Sequence, residues 1–134
     1  MTLLEEIRAA FPGLTPETRD DGAIAAALSV GRTKIQSRMI GIGTILATLG
    51  DAGGAFLDGL VAMGAADRSV YWTMELIKAG TLDVGMQATR DKATAIAEAN
   101  PTIAPAVRAL LALGVVPDTV SPQGVSKALE GWAP

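Results

Sequence analysis

The 134-residue sequence contains no cysteine and no histidine. Disulfide bonds, thiol nucleophiles, imidazole acid–base catalysis and zinc sites built on either residue are thereby excluded. Aromatic residues are scarce: two Trp, two Phe and one Tyr make up 4% of the chain, so a core must be assembled from Leu, Ile, Val, Met and Ala. Charged residues reach only 19%, and the net charge of −3 offers no bulk attraction to nucleic acid. At 49% hydrophobic residues, the chain carries enough apolar surface to offset its ordering entropy, which excludes a mainly disordered chain. A mean hydropathy of +0.35 is high for a small monomer that must coat itself in polar groups. This length predicts one domain over 1–134.

A membrane-length apolar run is missing as well. The least charged stretch, Met39–Ala66, is interrupted by Asp51 and Asp58 and by Gly50, Gly53 and Gly54. A mid-membrane carboxylate costs about 2.5–3.5 kcal/mol, and neither half reaches the ~20 apolar residues needed to span. Two short buried helices are expected there. Glu5 and Glu6 stand where a secretory signal needs positive charge, which predicts a cytoplasmic product.

What the sequence does hold is helix punctuation. Thr2 and Glu5 have capping-box spacing, with Leu3, Leu4 and Ile7 as an apolar stripe that should end near Phe11-Pro12-Gly13. Asp20 and Asp21 precede an Ala-rich helix over 23–30, closed by Gly31. Further helices are predicted over 42–49, 54–63, 68–79 (capped by Asp67) and 86–99. Two more follow, one marked by Ile103, Val107, Leu110 and Leu111, and one opened by Ser121-Pro122. Leu82–Gly85 reads as a connector with Asp83 placed to cap. Only Arg32–Met39 alternates with period two, predicting one extended, half-exposed segment over about 32–39. The fold class is therefore all-α: a compact bundle of seven or eight short helices with one short extended segment. Residues 130–134 form a tail expected to be loose unless Trp132 docks.

Catalytic vocabulary is thin. The acids sit mostly at helix starts, where the helix dipole explains them, and no Ser-x-x-Lys or Gly-x-Ser-x-Gly motif occurs. Gly41-Ile42-Gly43 lacks the third glycine and the lysine of a phosphate loop, and reads as a helix start where the backbone must bend. No catalytic residue, cofactor or metal ligand is expected, and the chain reads as non-enzymatic. The candidates that remain are for partner binding. Arg32, Lys34 and Arg38 share one parity and form the densest basic group; they can guard a strand edge, hold an acidic protein or hold phosphates. Tyr71 and Trp72 lie on a helix apolar around most of its circumference, which is buried on most sides or covered by a partner. Trp132 can anchor in its own fold or on a neighbour.

Three segments carry a family likeness: Asp21-Gly22-Ala23-Ile24-Ala25-Ala26-Ala27-Leu28 leading into the basic segment, Leu82-Asp83-Val84-Gly85-Met86-Gln87-Ala88-Thr89, and Val120-Ser121-Pro122-Gln123-Gly124-Val125-Ser126-Lys127-Ala128-Leu129. In this order, from about Asp21 to Leu129, the chain resembles small uncharacterised helical proteins encoded among the late genes of tailed bacteriophages and prophages. The resemblance implies an accessory virion protein, near the tail, fibre or baseplate rather than the capsid, with no catalytic residues to carry over. It implies synthesis in the bacterial host cytoplasm, then a place in the virion. Expected partners are other virion proteins or further copies of itself, without nucleic acid or membrane. The alternative is a small intracellular adaptor or inhibitor that binds a host protein.

Overall fold

In a computed structural model of the chain, which describes residues 2–132, the fold is all-α with a few short strands. Among the described residues the helices are α1 (Leu3–Ala10), α2 (Asp21–Ser29), α3 (Ile42–Leu49), α4 (Ala52–Gly64), α5 (Arg68–Ala79), α6 (Gln87–Ala99), α7 (Ala104–Ala112) and α8 (Pro122–Ala128). The strands are β1 (Thr33–Ile35), β2 (Met39–Ile40), β3 (Leu82–Asp83) and β4 (Val115–Pro117), in two-stranded sheets β1–β4 and β2–β3. β2 and β3 are antiparallel, pairing Met39 with Asp83 and Ile40 with Leu82.

The chain divides into two units. The terminal unit comprises the described residues up to Lys34 and those from Pro117, and contains α1, α2 and α8. Its core is Ile7, Ile24, Ala25, Val125 and Leu129, with Phe11, Leu14 and Trp132 packed around it. The local chemistry that shapes it is mostly capping. Thr2 Oγ1 accepts from the Glu5 amide at 3.2 Å while Glu5 Oε2 accepts from the Thr2 amide at 3.0 Å. Asp20 accepts from Ala23 N–H, and Ser121 from Gly124 N–H at 2.9 Å, so α2 and α8 begin where the sequence indicates. Asp21 lies in the first turn of α2, where a carboxylate favours the helix dipole, and is also forked onto Arg19 at 2.6 and 2.9 Å, which holds its carboxyl below the ordinary value.

The central unit, Ile35–Val116, contains α3 to α7 around Ile40, Ile45, Phe56, Leu60, Val70, Met74, Ile77, Val84, Val107 and Leu110. Gly50 (φ 60°) ends α3 as expected, but α4 begins at Ala52 and runs through Gly53 and Gly54. Gly53 is a packing residue: a Cβ there would lie 3.2 Å from the Leu46 Cα. Gly41 is the N-cap of α3, and a Cβ on it would meet the Gly80 Cα at 3.0 Å, so this pair of glycines permits a close backbone approach.

Two local expectations need correction. The segment 32–39 is extended in part, as β1 and the start of β2, but residues 33–39 are exposed on both parities. Backbone bonding holds it instead of side-chain burial: Gln36 N–H donates to Gly114 O at 2.8 Å, and Val84 N–H to Arg38 O at 3.0 Å. Leu82–Gly85 is more than a connector, since β3 lies within it. Asp83 caps no helix; its carboxylate accepts from Ser37 Oγ (2.7 Å), Arg38 N–H (2.9 Å) and Gly85 N–H (2.8 Å), bonds that hold it below the ordinary carboxylate value.

Candidate functional site

Helix α5 has two unlike sides. Val70, Met74 and Ile77 are 2%, 6% and 2% exposed, whereas Tyr71, Trp72 and Leu76 are 37%, 58% and 46% exposed. Trp72 and Leu76, four residues apart, stand one above the other on the helix surface. Tyr71 meets Trp72 edge to face with ring centroids 5.1 Å apart, and the Arg68 guanidinium lies 4.4 Å from the Tyr71 centroid and 5.7 Å from that of Trp72. These contacts stiffen an exposed aromatic ridge whose rings are electron-rich faces for the cation. On α5 the fold covers Val70, Met74 and Ile77, while this ridge shares the uncovered side with Arg68, Ser69 and Lys78.

Leu76 also lines a cleft of about 240 Å³ between α5 and α6. Thr73 and Ile77 continue the α5 wall; Ala88, Lys92, Ala93 and Ile96 form the wall opposite. The cleft has a sequence cause. α6 packs on α7 and buries no residue completely, because its inward positions are largely alanine. Small side chains leave space that leucines would fill, and the void forfeits dispersion contacts on its lining. Of the three polar lining residues, Thr73 spends its hydroxyl on Ser69 O at 2.8 Å within α5. Lys92 reaches Asp67 across the mouth, Nζ to Oδ2 at 3.1 Å, and so ties α6 to the N-terminus of α5. Asp67 is the α5 N-cap; the Ser69 hydroxyl and amide on Oδ1, with Lys92 on Oδ2, hold its carboxyl down to about 2.

The remaining predicted residues fall elsewhere. Arg32 belongs to the terminal unit and is engaged there, with Nη1 on Glu6 at 2.7 Å and Nε on Asp118 at 2.9 Å. Lys34 ends the terminal unit and Arg38 lies in the central unit; both are exposed and form no ion pair among the described residues. Trp132 is half-buried against the terminal core, and its N–H donates to Leu129 O at 2.9 Å, which anchors the start of the tail in its own fold. Tail residues 133–134 lie outside the described residues. Within the central unit, the candidates Tyr71 and Trp72 come together.

Sequence reasoning missed Arg68, Leu76, Lys92 and the cleft. The run of alanines on α6 was the available signal, since a helix packed on others needs larger residues on its inner face to close the gap. The segments that carried the family likeness have structural work: Asp21 pairs with Arg19, Ser121 caps α8, and Asp83 and Gly85 clamp the backbone of 36–38. Arg90, in the same neighbourhood, donates Nη1 to Val84 O and Leu111 O, both at 2.9 Å, and so closes the end of α7. Among the described residues, no helix is long and apolar enough to cross a membrane. No protein family, curated protein or solved structure matches this chain, so the functional reading rests on its own geometry and on the sequence likeness.

Proposed function

We propose that this chain is a non-enzymatic accessory structural protein of a tailed-phage particle that docks on other particle proteins or further copies of itself. The observation that carries the docking reading is the exposed ridge of Tyr71, Trp72 and Leu76 on a helix whose other side is already buried. Trp and Tyr supply large contact area at low entropic cost, and symmetric repetition in a particle is one way such surface becomes covered. The resemblance to phage late-gene proteins supplies the particle, and favours its tail, fibre or baseplate region. The product is made in the host cytoplasm and carried in the virion.

Quantitative peptide mass spectrometry on gradient-purified particles tests this reading. A fixed ratio to a component of known symmetry is expected, and Trp72→Ser with Leu76→Ser should lower incorporation at least tenfold without unfolding the protein. Finding the protein only in the infected-cell lysate contradicts the virion assignment and favours an intracellular adaptor.

A further inference from the structure

We propose that the cleft between α5 and α6 binds a straight-chain monocarboxylate of roughly eight to ten carbons, tail inward, with its carboxylate at Lys92; a cleft of about 240 Å³ has room for some eight groups the size of a water molecule, at ~30 Å³ each. The cleft's 240 Å³ exceeds the ~150 Å³ of an apolar cavity that holds benzene, so a single small ring would leave it part-empty. The lining sets the polarity of the body. Thr73 has its hydroxyl bonded inside its own helix, and no buried side-chain polar atom lacks a partner among the described residues. The Thr89 hydroxyl forms no hydrogen bond among the described residues and is the one uncommitted neutral polar group on the lining, so a polar body would lose its bonds to water with a single hydroxyl in exchange.

Depth sets the direction of insertion. The floor includes Ile40, Ile45, Ile77 and Val84, all among the most buried residues of the central unit. A free chain reaches such a floor end-on, whereas a side chain tethered to a partner's backbone is shorter. This favours an amphiphile over an anchor from a docked protein. Charge sets the head group. Lys92 is the one charged lining residue, and its side chain is 39% exposed, as for a stem that covers apolar wall while its ammonium reaches water. One of its N–H groups serves Asp67, which leaves two donors for a second carboxylate.

Methyl-resolved NMR titration of the full chain with hexanoate, octanoate, decanoate and decanol tests the assignment. Saturable shifts centred on Ile45, Leu60 and Val107 are expected, with affinity rising about tenfold per two added carbons until the cleft is full. Ala93→Leu, which fills the cleft, should abolish the shifts; Lys92→Met should keep the fold and remove the preference for decanoate over decanol. The proposal is overturned if no carboxylate gives saturable shifts, if folded Ala93→Leu binds as before, or if decanol matches decanoate in the unaltered protein. It is equally overturned if these methyls ignore every carboxylate and shift only when a particle protein binds, which would assign the cleft to a protein anchor.

Discussion

The terminal and central units are built from the same small and aliphatic residues, yet their packing ends differently. In the terminal unit, Ile7 and Val125 are fully buried, and a cation is placed between two carboxylates, Glu6 and Asp118. In the central unit, one helix buries no residue completely, a cleft reaches the core, and an aromatic ridge stands in solvent. Side chains that meet one another's needs leave little for a partner to add. The terminal unit has uncovered surface too, with Val30 82% exposed and an open hollow beside Phe11 and Trp132; what sets the central unit apart is aromatic surface in solvent next to an apolar cleft.

Truncation in the two cores should separate them most. Ile7→Ala removes a fully buried side chain from the terminal core and should cost about 4 kcal/mol, cavity term included. Ile96→Ala enlarges a void that already exists and should cost about 1 kcal/mol in transfer terms alone. Urea unfolding of both variants measures the contrast; equal losses would mean that the cleft is closed in solution. Next in size is Gly85→Ala, because a Cβ there falls onto the Gln36 carbonyl; overpacking against backbone should cost about 3 kcal/mol. Gly54→Ala in α4, where a Cβ meets nothing, should instead gain about 0.5–1 kcal/mol on the same assay.

Charge gives the finer tests. Arg32→Ala should lower the melting temperature by more than Lys34→Ala and Arg38→Ala together, since only Arg32 holds two carboxylates. A larger effect from the latter two would restore the basic segment as one functional group. The smallest effect concerns Asp67. Its carboxyl is held below the ordinary 3.8, at about 2, so its contribution is fully present above pH 3.8 and is lost as pH falls through about 2. Thermal unfolding from pH 6 to pH 2 should show this slope, flattened in Asp67→Asn, which keeps a capping side chain but not the ion pair.

Helices were legible because their signals are local. Thr2 with Glu5, Asp20, Asp67, Gly80 and Ser121-Pro122 each act within one helical turn, and the structure uses every one of them. The strands were half legible: alternation over 32–39 revealed extension, but the partner strands at 82–83 and 115–117 are set by distant pairing. Gly53 read as a breaker because its role depends on Leu46, a neighbour brought close only by folding. The aromatic half of the site was visible as excess apolar surface on one helix. The cleft was not, because a void is a property of several elements together and no single residue encodes it.

The central claim is that the protein meets its partners through the exposed side of α5. Photo-crosslinking on purified particles tests it directly, with a photoreactive residue in place of Trp72 in the central unit or of Lys127 on the terminal unit's surface. A discrete adduct is expected from position 72, with a particle protein or a second copy, and none from position 127. An adduct from position 127 alone would contradict it.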